Sequence, residues 1–234
     1  TSTVSVNSCL TVLVDREIRL QQYIDSILFY LNAKVIDKIV VCDNSGFDYS
    51  ELKFLYELAC SNNKQIEFLN FKGSVNQIQE KGKGFGEGEI MKYILTNSKL
   101  FFEEEGSFLK VTGRLKVVNI DWVVKYLNPN INYFNAVNLN PFVNLKKVDT
   151  RFYQCNKENF KYYFANCYDN VNDSGGVFLE HVYYNELIES KIHFKSFLIL
   201  PLFYGVSGST GLIYKMSNFK FLLRQFLFTI FKVL

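Results

Sequence analysis

The stretch EKGKGFGEGEIMKY (80–93) contains the residue types that bind phosphate groups. Its four alternate glycines, Gly84 among them, would let backbone N–H groups approach a phosphate closely, and Lys81 and Lys83 would add positive charge. The stretch is neither a Walker A loop nor a dinucleotide fingerprint, because both sequence orders are missing. A flexible surface loop is an equal alternative. Glu87 lies near the start of the following helix. A carboxylate at that position interacts favourably with the helix dipole, which is a purely structural role.

A second stretch, FLKVTGRLKVVN (108–119), begins as a buried strand and is then interrupted by Thr112, Gly113 and Arg114. The residues on both sides are apolar or β-branched, which is the composition typical of a strand. The interruption is small, sharply bending and positively charged. We therefore expect a cation at the carboxyl end of this strand.

Both stretches belong to a predicted alternation of strands and helices. We expect strands at 9–14, 39–42, 65–71 and 108–111, and helices at 15–32, 49–61 and 86–95. Strands that alternate with helices predict an α/β fold with a mostly parallel central sheet covered by helices.

A polar cluster follows each predicted strand. In covered parallel sheets, ligands bind outside the carboxyl ends of the strands. An ordinary turn explains any single cluster equally well, but four clusters on one rim favour a binding site. The clusters are Asp15 and Arg16, then Asp43, Asn44 and Ser45, then the glycine-rich stretch, and finally Thr112, Gly113 and Arg114.

The composition narrows the class of protein. The 234 residues are 48% hydrophobic, which is enough for a sizeable core and argues against disorder. A net charge of +3 argues against a general nucleic-acid binder. Five scattered cysteines without a CxxC pair favour free thiols in a reducing cytosol. The sequence shows no signal-peptide order and no charge-free window of about 18 residues, so we expect a cytoplasmic protein.

From residue 9 to about residue 120, the order of these elements resembles the nucleotide-sugar-dependent glycosyltransferases of the GT-A fold. The second strand of that family ends in an Asp-Asn turn that holds the nucleotide base, and IVVCDNSG (39–46) looks like it. Together with VTGR, the glycine-rich stretch is also similar to bacterial transferases for capsule, O-antigen or lipopolysaccharide glycans. The resemblance implies a nucleotide-sugar site formed by Asp15, Arg16, Asp43, Asn44, Ser45, Lys81, Lys83, Gly84, Glu87, Thr112, Gly113 and Arg114.

One departure from the family concerns the metal. The fourth strand of the family normally ends in Asp-x-Asp, which holds a divalent metal on the diphosphate, and VTGR takes that place here. A Mg²⁺ or Mn²⁺ cofactor is therefore not supported by the motif. Arg114, with Lys83, would instead neutralise the leaving group. The structural alternative is that Arg114 pairs with a carboxylate at the strand end.

The resemblance also implies an acidic base at a helix start, which deprotonates the acceptor hydroxyl. Glu180, after the turn Gly175-Gly176, is the first candidate and Asp149 the second. A purely helix-stabilising role is an equal alternative for Glu180. The residues expected on the acceptor side or in a lid are Arg151, His181, Ser207, Ser209 and Thr210.

The C-terminal stretch NFKFLLRQFLFTIFKVL (218–234) predicts an amphipathic helix that is too short and too charged to span a bilayer. Its leucines, with Phe226 and Ile230, form one wide apolar sector, and cations with further phenylalanines lie opposite. This arrangement favours an interfacial position on an anionic membrane, with packing on the domain as the alternative.

Taken together, the residues and the resemblance predict one GT-A-like catalytic domain (1–217), with a nucleotide-sugar half (1–120) and an acceptor half (121–217). The predicted enzyme transfers a sugar, with inversion, from a nucleotide-sugar donor to a hydroxyl of a glycan or glycolipid acceptor. It would lie on the inner face of the cytoplasmic membrane and bind no nucleic acid. The alternative is a non-catalytic nucleotide- or glycan-binding module on the same fold. A nucleotidyltransferase is disfavoured because acidic metal ligands are missing from the strand ends.

Overall fold

The computed structural model describes residues 1–5, 14–103, 105–135, 146–207 and 211–231. The α-helices are α1 (Arg16–Asn32), α2 (Lys53–Ser61), α3 (Val75–Lys81), α4 (Lys83–Asn97), α5 (Lys99–Phe102), α6 (Ile120–Lys125), α7 (Lys157–Asn159), α8 (Leu179–Glu189) and α9 (Asn218–Phe231). The strands are β1 (Lys38–Asp43), β2 (Gln65–Asn70), β3 (Ser107–Val111), β4 (Lys116–Val117), β5 (Asn132–Tyr133), β6 (Phe152–Asn156), β7 (Phe194–Lys195), β8 (Phe203–Val206) and β9 (Ile213–Tyr214).

Helix α1 forms where the sequence predicts it. The Asp15 carboxylate accepts a hydrogen bond from the Ile18 N–H at 2.9 Å, which caps the first turn. Tyr23, Ile27 and Leu31 recur at helical spacing and are buried, so one face of α1 packs on the core. The predicted helix near 49–61, the helix start at Glu180 and the strands at 39–42, 65–71 and 108–111 are likewise confirmed.

The strands form three small sheets among the described residues. β1 and β2 make a parallel pair, in which Lys38 lies opposite Gln65. A four-stranded sheet has the order β3-β6-β5-β7, and a three-stranded sheet has the order β4-β8-β9. The fold is therefore mixed α/β.

The prediction of one mostly parallel central sheet is wrong. Of the strand pairs described, only β1–β2 and β5–β7 are parallel, and the other pairs are antiparallel. The chain returns after β3 to place β6 beside it in the opposite direction. Phe152 to Cys155 in β6 are all buried, so both faces of the strand are covered. Burial on both faces is expected of a covered parallel strand, and here it belongs to an antiparallel one.

The N-terminal segment 1–4 lies between the end of β1 and the end of β3. Ser2 forms a parallel bridge with Asp43, and the Gly113 N–H donates to the Thr1 carbonyl at 2.9 Å. The first strand was predicted at 9–14 instead, and residues 9–13 of that stretch lie outside the described residues. Residues 1–4 thus provide the extended segment next to the predicted binding rim.

Helix α9 is present as predicted, and its last residues 232–234 lie outside the described part of the chain. It docks through Phe228, which is 5% exposed, and through Gln225, whose side chain bonds the Leu200 N–H at 2.8 Å and the Leu198 carbonyl at 3.0 Å. Most of its other described apolar side chains are exposed, namely Phe219, Leu222, Leu223, Phe226, Leu227 and Ile230. Within the described ranges, no helix combines the length and hydropathy needed to cross a membrane.

Candidate functional site

A cleft of about 420 Å³ opens where the carboxyl ends of β1 and β3 meet the first turns of α4 and α8. We call it the polar cleft because many charged residues line it. Cations outnumber carboxylates among them. An excess of positive charge suits an anionic ligand. The charged residues are Arg19, Lys83, Arg114, Lys147, Arg151, Glu87, Asp173 and Glu180.

The polar cleft brings together about half of the predicted site residues. Those that line it are Asn44, Lys83, Gly84, Glu87, Thr112, Arg114, Arg151, Glu180 and Ser207. Those placed beside or away from it are Asp15, Arg16, Asp43, Ser45, Lys81, Gly113, Asp149 and His181. The predicted lid residues Ser209 and Thr210 lie outside the described residues.

Asp43 has a structural role beneath the polar cleft. It is fully buried, and its two carboxylate oxygens accept hydrogen bonds from the Ser2 hydroxyl (2.8 Å) and the Val4 N–H (2.9 Å). They also accept from the Ser45 N–H (2.7 Å) and hydroxyl (2.6 Å) and from the Phe47 N–H (3.1 Å). With five donors already bound, the carboxylate fixes segment 1–4 and the turn after β1 and is not offered to a ligand.

Asn44 is the residue of this turn that reaches the polar cleft. Its side-chain oxygen accepts from the Thr3 hydroxyl at 2.6 Å, and its side-chain nitrogen donates to the Gly86 carbonyl at 3.3 Å. Its own carbonyl accepts from the Gly73 N–H at 2.9 Å. Asn44 therefore ties the N-terminal segment to helix α4 at one wall of the cleft.

The glycine-rich stretch is helical on both sides of Gly82, so a flexible surface loop does not form there, and the helix predicted at 86–95 is confirmed with an earlier start. Helix α3 ends at Gly82, where φ is +101°, and α4 begins at the next residue. The Gly84 N–H donates to the Asp173 carboxylate at 3.2 Å, and a Cβ on Gly82 would lie 2.2 Å from the same carboxylate. Burial raises the pKa of Asp173, which the Gly84 bond opposes. The amides at the start of α4 thus bind a carboxylate of the chain itself.

The later glycines of α4 allow close packing. A Cβ on Gly88 would lie 2.2 Å from the Cβ of Tyr168, and one on Gly86 would lie 3.1 Å from the Asn44 side chain. Lys81 points away from the cleft, because its ammonium donates to the Asp169 carbonyl at 2.8 Å. Packing explains the alternate glycines better than a phosphate cradle does.

An ion pair at the floor of the polar cleft was not predicted. Lys110 in β3 is buried, and its ammonium donates to the Glu87 carboxylate, to the Thr150 carbonyl and, at 3.1 Å, to the Thr112 hydroxyl. The signal in the sequence is a lysine within the apolar run FLKV. A cation in a buried strand requires a buried anion, and Glu87 provides it from α4.

Thr112, Gly113 and Arg114 follow β3 as predicted and turn toward the polar cleft. A Cβ on Gly113 would lie 2.0 Å from the Thr1 carbonyl oxygen, so only glycine lets segment 1–4 approach. The Arg114 guanidinium lies over the Tyr23 ring and donates to the Gln22 side chain at 3.2 Å.

Arg114 has no carboxylate partner among the described residues. Its Nε is buried and lacks a hydrogen-bond partner in the same part of the chain. A buried donor without an acceptor is costly, which favours an added acceptor at this position. The predicted alternative, a carboxylate pair for Arg114, is absent there.

Arg19 is a second cation at this end of the cleft that the sequence interpretation missed. It is buried in α1 and donates from Nε to the carbonyls of Thr3 (3.0 Å) and Val4 (3.2 Å). Burial lowers its pKa, and the positive charge of Arg114 lowers it further. The proximity of the two guanidinium groups concentrates positive charge on one wall.

Glu180 occupies the first turn of α8 and faces the polar cleft half-buried. Burial raises the pKa of its carboxyl group, and the negative charges of Glu87 and Asp149 raise it further, while Lys83 opposes them. A carboxylate with a raised pKa is a better proton acceptor than one in water.

Asp149, the second base candidate, is bound by Arg151. The guanidinium donates to both carboxylate oxygens, at 2.8 Å and 2.6 Å, and the Arg151 N–H donates to one of them at 3.0 Å. The guanidinium itself stacks over the rings of Phe203 (4.6 Å) and Tyr214 (5.2 Å). Asp149 thus positions Arg151 in the cleft wall and is engaged in doing so.

Three predicted residues lie away from the cleft, and two of them cap helices. Asp15 caps α1, and the exposed Arg16 lies over the Phe47 ring at 5.7 Å. The Nδ1 of His181 accepts from the Phe178 N–H at 3.2 Å at the start of α8. Asp15 and His181 therefore have the ordinary structural role of a polar residue at a helix start.

Across the described ranges, no three His, Cys, Asp or Glu side chains are grouped so that they could hold a metal ion. No protein-family model, curated protein or solved structure matches this chain.

Proposed function

We propose that the protein is a glycosyltransferase that moves a sugar from a nucleotide-sugar donor to a hydroxyl of a glycan acceptor. The observation that carries the proposal is that Arg114 and Glu180 line the same polar cleft at the carboxyl ends of β1 and β3. The Nε of Arg114, which has no hydrogen-bond partner among the described residues, is available to an anion, and Glu180 offers a carboxylate of raised pKa to a hydroxyl.

The donor diphosphate would bind against Arg114. When the bond from the sugar to the diphosphate breaks, negative charge develops on the leaving phosphate oxygen. A guanidinium that is already in place stabilises this charge without reorganisation. Arg19 lies next to it and raises the local potential, although its own N–H groups bind the carbonyls of segment 1–4.

The acceptor hydroxyl would bind next to Glu180. Its oxygen forms a bond to the anomeric carbon while the bond to the diphosphate oxygen breaks, and its proton passes to the Glu180 carboxylate. Attack from the face opposite the leaving group inverts the configuration. Glu180 is preferred to Asp149 because Arg151 holds both oxygens of Asp149.

A divalent metal, which the resemblance would imply, does not fit this site. Metal ligands at the end of β3 would have to be carboxylates, and the residues there are Thr112, Gly113 and the cationic Arg114. Glu87, the carboxylate at the floor of the cleft, is paired with Lys110. We therefore propose charge neutralisation by the protein's own cations.

The GT-A-like architecture is part of the proposal. The parallel pair β1–β2, the polar turn after β1 and the cleft at the strand ends support it. The antiparallel β3–β6 pair also fits a fold in which an acceptor half follows a nucleotide half.

We also propose that α9 rests on an anionic membrane surface, where a lipid-linked acceptor would be presented. The outward-facing apolar side chains of α9 are Phe219, Leu222, Leu223, Phe226, Leu227 and Ile230. Lys220 and Arg224 are exposed on the same helix. An exposed apolar sector flanked by cations suits the headgroup region of a bilayer. Flotation with anionic vesicles should retain the protein, and a Leu223→Ser, Phe226→Ser variant should be released.

The test of the proposed function is a thermal-shift panel of nucleoside mono- and diphosphates and nucleotide sugars, each with Mn²⁺ and with EDTA. One nucleotide should raise the melting temperature equally in both conditions. A rise that needs Mn²⁺ would contradict the metal-independent site. No response from the folded protein to any nucleotide would contradict the donor site altogether.

The non-catalytic binding module remains the second candidate. It predicts the same thermal shift without turnover. A nucleotide-release assay with the stabilising nucleotide sugar separates the two, because only the enzyme releases nucleoside diphosphate in the presence of a glycan acceptor.

A further inference from the structure

A second cavity of about 540 Å³ runs between the edges of β1 and β3. We call it the strand groove. β1 pairs with β2 on one side, and β3 pairs with β6 on one side. Among the described residues, the facing edges are bridged only near their carboxyl ends, by Thr1 and Ser2. Two strand edges that face each other without a strand between them leave backbone donors and acceptors unpaired.

Burial along β1 shows where the gap lies. Val41, Cys42 and Asp43, beside segment 1–4, are buried, whereas Ile39 and Val40 are only partly buried. On the opposite edge, Phe108, Leu109 and Val111 in β3 are also partly buried. Large apolar residues in the middle of a fold are ordinarily covered, and no element among the described residues covers this stretch.

The pairing of segment 1–4 sets the direction and register of that element. Ser2 donates its N–H to the Cys42 carbonyl (2.8 Å) and accepts from the Asn44 N–H (3.2 Å), which is the pattern of a strand parallel to β1. Thr1 donates to the Val111 carbonyl (3.4 Å) and accepts from the Gly113 N–H (2.9 Å), the same pattern toward β3.

Extending this register backward leads directly into the strand groove. A residue joined before Thr1 would lie opposite Val41 and Val111, and each further residue would lie one position earlier on both strands. About five residues reach the other end of β1 and β3, since a strand rises about 3.3 Å per residue.

We propose that the strand groove receives an extended apolar strand joined to Thr1, parallel to both β1 and β3, which unites the β1–β2 pair and the β3–β6–β5–β7 sheet. The inference does not depend on the proposed activity. The side chains of Tyr30, Met91, Ile94 and Phe101 line the groove from the helices. The strand is therefore expected to be apolar on both faces, as central parallel strands are.

The test is a five-residue extension, Val-Thr-Val-Thr-Val, fused directly before Thr1. The matched control is Val-Pro-Val-Pro-Val, which has the same length but whose two prolines cannot donate the hydrogen bonds that the register assigns to β3. The first extension should raise the melting temperature by about 5 °C or more over the control. Amide exchange should slow about tenfold or more in β1 and β3, at an unchanged monomer mass.

Equal melting temperatures for the two extensions would overturn the proposal. Slowed exchange that accompanies a concentration-dependent dimer would also overturn it, since a second copy would then fill the groove. So would slowed exchange seen only with the free peptide, since the groove would then bind another chain. A further measurement does not need the extension: alternate amides of β1 that do not bond β2 should exchange quickly in the chain without it. Uniform protection of β1 would mean that the groove is already filled.

Discussion

Lys110 and Glu87 form a buried ion pair that joins β3 to α4 beneath the polar cleft. The Lys110 side chain is 2% exposed, and the Glu87 side chain is 24% exposed. Because the pair lies between the strand that leads to Arg114 and the helix that packs on Asp173, it holds two walls of the cleft together.

Removing the cation of this pair should destabilise the protein strongly. Lys110→Met leaves a carboxylate at the cleft floor without its partner, and we expect a loss of roughly 3–5 kcal/mol in the free energy of unfolding. Glu103→Gln is the control, since it breaks the exposed Lys38–Glu103 pair at 2.9 Å and should cost less than about 1 kcal/mol. Urea unfolding of both variants measures the difference, and similar losses would contradict the buried pair.

Glu180→Gln should abolish transfer without harming the fold. A general base contributes roughly 10²–10⁴-fold to the rate, so we expect a loss of that size in kcat. Glu189→Gln, at the end of the same helix, is the control. An active Glu180→Gln enzyme would remove Glu180 from the mechanism.

The same variant should be more stable than the wild type at pH 8. Burial raises the pKa of Glu180 above its ordinary value of 4.5, so the folded state disfavours the ionised form. The stability that goes with protonation is present below about pH 4.5 and is lost as pH rises through the folded pKa. Unfolding experiments at pH 8 and pH 4 should show the advantage of Gln at pH 8 only. A less stable variant at pH 8 would contradict the sign of the shift.

Arg114→Gln should weaken the binding of nucleoside diphosphate by about 10- to 100-fold, the value of a charge-assisted hydrogen bond. Arg16→Gln is the matched control, because Arg16 is exposed and lies outside the polar cleft. Isothermal titration with the nucleotide found in the thermal-shift panel measures both. Equal affinities for the two variants would show that the diphosphate binds elsewhere.

Gly88→Ala should lower stability, although alanine favours a helix by about 1 kcal/mol over glycine. The new Cβ would meet the Tyr168 side chain at 2.2 Å, and overpacking of this kind costs roughly 1–3 kcal/mol or more. Thr96→Ala, at an exposed position of the same helix, should change stability by no more than about 0.5 kcal/mol. A stabilised Gly88→Ala protein would show that α4 does not pack this closely.

Thiol labelling should separate the described cysteines. Cys60 is exposed, whereas Cys42, Cys155 and Cys167 are buried. Burial raises the pKa of the Cys42 and Cys167 thiols to about 12, which suppresses the reactive thiolate. Peptide mapping after brief maleimide treatment should find Cys60 modified and the other three protected until denaturant is added.

The sequence predicted the local elements better than their assembly. Capping by Asp15 and helical spacing define α1, and apolar runs define β1, β2 and β3, because these signals act within a few residues. The antiparallel partner of β3 could not be predicted, since the residues of β6 carry no local signal of strand direction and pair with residues more than 40 positions earlier. Helix α4 begins at Lys83, before its predicted start at Gly86, and the bond from Gly84 to Asp173 at this start joins residues distant in the sequence.

Prediction of the candidate site likewise succeeded for residues with a local signal and failed for those that depend on distant neighbours. Thr112, Arg114 and Glu180 were recognised from type and position, and all three line the polar cleft. Arg19 and Lys110 were missed, because a cation on the inner face of an amphipathic helix or within an apolar strand becomes informative only when its neighbours are known.

The outward apolar sector of α9 also governs how the protein will behave in water. Side chains such as Phe219, at 77% exposure, and Leu222, at 63%, have no cover on the helix itself. In aqueous buffer such a sector promotes adsorption to surfaces and association between molecules at high concentration. A hydrodynamic radius measured without a mild amphiphile will therefore report this non-specific association rather than a specific quaternary structure.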